Sequence, residues 1–266
     1  MNIVNTTIKL FVIIFISLGI LSGCGGSDPS SNDMPVQTEP EAEQQTSDPE
    51  EPVFSAMLFN DDSAMVTNEY FPLTPGVSLI YEGLNDEGET ERLEITVSHE
   101  TRMVDGVESA IVVDRVYVDD ELEEETFDWF AQDMAGNVWY MGEDSVEIED
   151  GEIISHEGSW ESGMDIDGVG SNAVAGIQMK ATLVEGDSYL QEYYQGVAED
   201  MAQIDSLAVD VTLANGDSYS ALKILEWNPL EPDDVREFKY FVSGIGMVKE
   251  EKEDFSESVE LIAMTD

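Results

Sequence analysis

From about residue 90 to the C-terminus, apolar and polar residues alternate in short runs separated by turn residues, at intervals of about ten. Leu93, Ile95 and Val97 alternate with Glu94, Thr96 and Ser98. A side-chain period of two belongs to a strand with one covered face. Gly106 precedes residues 109–118, a run rich in β-branched side chains, and residues 124–132 carry Phe127, Trp129 and Ala131 on one side. Gly136-Asn137 opens residues 138–141. Asp150-Gly151 divides residues 148–154, and Asn215-Gly216-Asp217 divides residues 208–213 from 219–227. Such pairs supply the positive φ angles of tight hairpins. Residues 236–242, a Gly244-Ile245-Gly246 break, and residues 247–252 and 259–263 complete the series. No long stretch sustains helical spacing; residues 197–204 are the best helix candidate, and residues 165–176 read as a glycine-rich loop. The expected fold is all-β: antiparallel sheets forming a sandwich or a curved half-barrel.

The N-terminus has a different character. One base, Lys9, precedes residues 10–21, which are apolar except for Ser17 and Gly19, and Ser22-Gly23-Cys24 follows. A basic start, a short apolar core and small residues before a cut describe a secretory signal. The apolar run is too short to span a bilayer as a helix, which takes about 20 residues. Leu21-Ser22-Gly23-Cys24 resembles the lipobox of bacterial lipoproteins. That resemblance implies cleavage after residue 23, a diacylglyceryl group on the Cys24 sulfur, and palmitate among the acyl chains. Gly25, where an Asp would retain a Gram-negative lipoprotein in the inner membrane, implies the outer membrane for a Gram-negative source. Cys24 is the single cysteine, so the fold has no intramolecular disulfide and relies on its core.

Residues 24–52 read as the lipidated cysteine and an acidic linker. Pro29, Pro35, Pro40, Pro49 and Pro52 interrupt Ser, Gln, Glu and Asp, with no base and no apolar face. A segment of that kind buries too little surface to offset its chain entropy. The expected division is therefore a signal peptide at 1–23, a tether at 24–52 and one β-rich exported domain at 53–266.

The chain holds 59 acidic residues against 10 Lys plus Arg, a net charge of −49. Nucleic-acid binding demands Lys and Arg, and anionic lipid surfaces repel such a chain. With 42% hydrophobic residues the domain still has a core, so the acids are expected mostly on a solvated surface.

Several segments resemble an uncharacterised group of bacterial secreted proteins and lipoproteins. They are Tyr70-Phe71-Pro72-Leu73-Thr74-Pro75-Gly76 with Tyr81-Glu82-Gly83, Thr126-Phe127-Asp128-Trp129-Phe130-Ala131-Gln132-Asp133, Gly136-Asn137-Val138-Trp139-Tyr140, Gly158-Ser159-Trp160-Glu161 and Gly244-Ile245-Gly246-Met247-Val248. The resemblance implies export and β architecture, and no assigned activity. The aromatic strands and the terminal glycine turn are also similar to half-barrel envelope lipoproteins that hold lipids.

No catalytic constellation stands out. His99 and His156 lie in no nucleophile or zinc motif, and neither Gly-x-Ser-x-Gly nor His-Glu-x-x-His occurs. Calcium is the better metal candidate, because it takes carboxylates and carbonyls. Asp165 and Asp167, in Asp165-Ile166-Asp167-Gly168, are its candidate ligands, though the full calcium-loop pattern is missing. Trp160, set among glycines and acids, is the candidate ligand-stacking residue; Trp129, Trp139 and Trp227 read as core. The leading reading is a non-catalytic, membrane-anchored envelope module, binding or structural, for a small or apolar ligand or an envelope protein. The alternatives are a secreted hydrolase with paired carboxylates, for which about 5–9 Å of separation is diagnostic, and a calcium-binding surface protein.

Overall fold

The computed structural model describes residues 51–85, 87–230 and 235–265. The signal peptide, Cys24 and nearly all of the tether lie outside the described residues. Among the described residues the helical structure is one 3-10 turn, Ala56–Leu58. The rest is strand, turn and loop.

Five strands form a first meander: β1 (Ser78–Leu84), β2 (Thr90–Val104), β3 (Val107–Val118), β4 (Glu121–Gln132) and β5 (Val138–Glu149). Two short strands, β6 (Glu152–Ser155) and β7 (Trp160–Glu161), fold back onto β5. A second meander holds β11 (Met201–Thr212), β12 (Ser218–Trp227), β13 (Arg236–Val242), β14 (Gly246–Lys252) and β15 (Ser258–Thr265). All pairings are antiparallel, and the two meanders join where β1 pairs with β15. The result is one curved sheet rather than two stacked ones.

Between the meanders run β8 (Val174–Met179), β9 (Ser188–Leu190) and β10 (Glu192–Tyr193). β8 extends the sheet beyond β5 and β10 pairs with β8, while β9 pairs with β11 at the opposite edge. Only Gln191 separates β9 from β10. The two edges of the sheet therefore meet in a single stretch of chain. Edge strands left open invite pairing with other molecules, and this corner covers both.

The turns follow the sequence chemistry. At the β5–β6 hairpin, Asp150 and Gly151 have φ of 53° and 77°, the left-handed pair that a two-residue hairpin needs. At Asn215-Gly216-Asp217 the Asn215 Oδ1 accepts from the Asp217 amide and Gly216 takes the positive φ. Residues 197–204 are not helical. Met201 onward is strand β11, in which Ala202 and Ile204 are buried and alternate with half-buried Met201 and Gln203. Four residues of a period-two pattern sufficed there because both neighbours, β9 and β12, offered pairing groups. The glycine-rich loop ends at Ala173, two residues before Ala175 pairs with Glu192.

Both faces of the sheet carry apolar clusters. The inner cluster includes Val97, Val112, Phe130, Tyr140, Ile204, Leu222, Ile224 and Phe241. On the outside of the first meander, Val104, Val107, Trp129, Trp139 and Met141 are covered by Phe54 and Phe59 from the segment before β1. Phe54 and Phe59 meet Trp139 with ring centroids 5.8 and 6.0 Å apart. The Arg102 guanidinium lies 3.8 Å above the Trp129 ring and pairs with Glu161 at 2.6 Å.

Trp129 and Ala131, expected on one side of β4 with Phe127, are buried there in an apolar cluster. That side is the outer one, and Phe127 is 37% exposed on it. The inner side of β4 carries Glu124, Thr126, Asp128 and Phe130, all buried. The expectation of a mostly solvated acidic surface thus misses an interior set of carboxyls, with Glu91, Asp114, Glu143, Glu192, Asp200, Glu226, Glu237 and Glu250 among the buried residues.

Candidate functional site

Inside the curve of the sheet lies a cavity of about 110 Å³, partly open to solvent. Register explains how distant residues converge on it. On β3, Val112 and Asp114 face inward, and β4 brings Asp128 opposite Val112. On β2, Ile95 stands opposite Asp114, and on β1, Leu79 stands opposite Ile95. From the second meander, Lys239 on β13 stands opposite Glu250 on β14, and Phe241 opposite Met247. Phe71, Pro72 and Leu73, ahead of β1, and Ile245-Gly246 in the β13–β14 turn complete an apolar side of the wall.

The polar part of the wall is acidic. Asp114, Asp128 and Glu250 line the cavity, together with Tyr81, Tyr140, Gln178 and Lys239. The Tyr81 hydroxyl donates to the Met247 carbonyl at 2.9 Å and is thereby satisfied. Lys239 is the one cation in the wall, and its ammonium is held by Glu226 at 2.7 Å and Glu250 at 3.6 Å. Burial alone would lower the Lys239 pKa, but Glu226, Glu250 and Glu237 more than offset it and hold the side chain charged.

Asp128 is tied down. The Tyr140 hydroxyl lies 2.6 Å from Asp128 Oδ1 and 2.9 Å from Glu143 Oε2. A phenol has one proton. It donates to one carboxylate, so the other carboxyl must be protonated and donate to the phenol oxygen. The electrostatics agree: burial raises Asp128 to about 7, against the opposing pull of Tyr140 and Lys239, and raises Glu143 well above the ordinary carboxylate range. Behind them, burial also raises Glu192 well above that range, and the neighbouring Asp200 carboxylate adds to the effect.

Asp114 has no such support. It is 3% exposed, faces the cavity, and its Oδ1 has no hydrogen-bond partner among the described residues. Burial, then Asp128, Glu124 and Glu250, raises its pKa well above the carboxylate range. Around the cavity, burial lifts Glu124 and Glu91 to about 8 and Glu250 to about 7.

The residues singled out in the sequence lie elsewhere. Asp165 and Asp167 sit in the loop between β7 and β8. Asp165 accepts from the Tyr194 hydroxyl at 2.9 Å and from the Gly170 amide at 3.1 Å, and the Asp167 amide donates to the Tyr194 oxygen at 3.0 Å. Among the described residues no group of three or more His, Cys, Asp or Glu side chains is arranged to hold a metal ion. Trp160 is fully buried and meets Tyr140 edge-on at 5.4 Å, one layer behind the cavity wall. The sequence carries one signal for the true wall: acids at alternate positions within runs otherwise apolar or β-branched, such as Asp114 in β3. In a chain with 59 acids that signal is swamped.

No family model matches the chain, and no curated protein matches it. Two solved structures are similar in outline. One is a protein from Bacteroides fragilis described as exported and as having a YmcC-like fold, with 11% identity and a TM-score of 0.43 over 75% of this chain and 100% of the other. The second is a protein from Parabacteroides distasonis described as a lipoprotein, with 9% identity and a TM-score of 0.39 over 74% of this chain and 99% of the other.

Proposed function

We propose that this chain is a membrane-anchored lipoprotein of the bacterial cell envelope whose β domain holds a small ligand with an apolar body, without transforming it. The anchor follows from residues 1–24: the basic start, the short apolar run and the lipobox-like Leu21-Ser22-Gly23-Cys24. The binding role is carried by one observation, the partly open cavity inside the curved sheet, walled on one side by Phe71, Leu73, Ile95, Phe241 and Met247. Concave, mostly apolar sites with a few fixed polar groups are where proteins take small molecules. A cavity of about 150 Å³ holds benzene whole, so the smaller space here suits a short alkyl group, or a single ring seated with part of it in the opening.

The hydrolase reading would draw on Asp114 and Asp128, the two carboxyls that share the first-meander side of the wall. Asp128 is already committed to Tyr140 and, through it, to Glu143. That network fixes the proton in place, which favours a holding site over a site that must pass protons to a substrate.

The test is calorimetric titration of the chain from Cys24 to Asp266, made without export so that the cysteine stays unacylated, with benzyl alcohol as probe. Saturable binding that is lost on filling the cavity with Leu73→Trp supports the proposal. Absence of saturable binding, or binding that Leu73→Trp leaves unchanged, overturns it.

A further inference from the structure

The cavity wall is unbalanced in hydrogen bonding. Three acidic side chains, Asp114, Asp128 and Glu250, face the space beside one cation. That cation, Lys239, already serves Glu226 and Glu250. Asp128 has Tyr140. Asp114 is left, 3% exposed, with an oxygen that no group among the described residues reaches. Burying a carboxyl without a hydrogen bond costs free energy that a native fold rarely leaves unrecovered. The apolar side chains that line the cavity with it, Leu79, Ile95 and Phe71 among them, offer no donor.

We propose that the ligand of this cavity is a small primary amine with a compact apolar body, its ammonium group bound by Asp114. The inference rests on the ligand-holding reading above and names the chemical class for it. An ammonium brings three donors and a positive charge to a carboxyl whose Oδ1 has no hydrogen-bond partner among the described residues. A carboxylate ligand would add a fourth acid to the cluster, and like charges at close range in a buried site repel strongly. An alcohol brings one donor and no charge, so it satisfies one oxygen without stabilising the ionised carboxyl. Hydrogen bonds in which a partner is ionised are roughly twice as strong as neutral ones, so the amine should outrank the alcohol by at least tenfold in Kd, about 1.4 kcal/mol.

Three probes with one ring size separate the possibilities: benzylamine, benzyl alcohol and benzoate, titrated into the unacylated chain from Cys24 at about 0.15 M NaCl, where the surface charge is screened to about 8 Å. The expected order is benzylamine tightest by tenfold or more, then benzyl alcohol, with benzoate weakest. Methylammonium at the same concentration, which has the charge without the ring, should not bind saturably. Asp114→Asn should reduce the amine preference to within about threefold while benzyl alcohol binds as before. In the unmodified chain, the Asp114 carboxyl carbon resonance should move on adding benzylamine and stay put with benzyl alcohol, a readout independent of whether the variant folds. If none of the three ring probes binds, the cavity reading itself fails. If benzyl alcohol or benzoate binds as tightly as benzylamine, or the Asp114 resonance ignores the amine, the amine assignment is wrong while the cavity reading stands.

Discussion

A Cβ placed on Gly176 would lie 2.2 Å from the carbonyl oxygen of Gln191 and 2.3 Å from its carbon. Those atoms are backbone on the one residue that links β9 to β10, so neither can swing aside. Gly176→Ala should force the corner of the sheet open and destabilise the fold by about 3 kcal/mol, the upper end of what overpacking usually costs. Gly186, also near β9, has open space around it and a φ of 82°. Gly186→Ala should cost only its backbone strain, about 1 kcal/mol. Equal losses for the two variants in urea unfolding would show that close approach at Gly176 is not what holds the corner.

Stability should fall as pH rises from about 5 to 8.5. Glu91 and Glu124 are raised from 4.5 to about 8, Glu250 from 4.5 to about 7 and Asp128 from 3.8 to about 7, each mainly by burial. Between the unfolded and folded values the native state binds more protons than the unfolded chain, so acid favours it. The contribution is complete below about pH 4 and lost as pH climbs through 7 to 8. Each unit of raised pKa is about 1.4 kcal/mol, so a single unit from each of the four would rival the whole stability of a small domain. Surface repulsion acts in the same direction, and running melts in about 0.5 M NaCl screens most of it. Glu124→Gln should flatten the slope. A melting temperature that is level or rising between pH 5 and 8.5 would contradict the interior-carboxyl account.

Tyr140→Phe removes the one hydroxyl shared by Asp128 and Glu143. Leaving a buried carboxyl short of its partner costs about 1–3 kcal/mol, so the variant should unfold at distinctly lower denaturant than the parent. It should also change the pH slope near 7, because Asp128 loses a group that holds its pKa down. A variant as stable as the parent across that range would mean the two carboxyls are satisfied by some other arrangement.

Cys24→Ser should abolish incorporation of labelled palmitate and leave residues 1–23 attached. Labelling that survives the substitution would place the lipid elsewhere or remove the anchor from the account.

The strands were legible in the sequence because each rests on local information: Asp150-Gly151 marks its hairpin, and Leu93, Ile95 and Val97 mark a period of two. The cavity was not, because its wall joins Phe71 to Glu250 through register, and register across the β1–β15 seam is set by residues nearly the whole domain apart. The buried acids of β4 were not legible for a physical reason. Hydrophobicity locates a covered face, and on β4 both faces are covered, the outer by Arg102 with the segment of Phe54 and Phe59, the inner by the curve of the sheet itself. The acids at Glu124 and Asp128 then look like solvent-facing residues when they are the interior. Trp160 was singled out for its polar neighbours in sequence, but in the fold it is fully buried against Tyr140. Asp165 was singled out for its spacing to Asp167, and its carboxylate closes its own loop.

The seam between β1 and β15 also sets a timetable. Synthesis and export both deliver residues 78–84 before residues 258–265, so until β15 arrives the first strand has one neighbour where the finished sheet gives it two. The first meander can zip up from local hairpins, but the curved sheet around Asp114 and its neighbours waits for β15. Contacts between distant parts of a chain are the slow ones in folding. Losing strand β15 would therefore do more than remove one pairing: it would unseat the second meander, which carries Lys239, Phe241, Met247 and Glu250 into the wall, and leave the acidic interior unsealed.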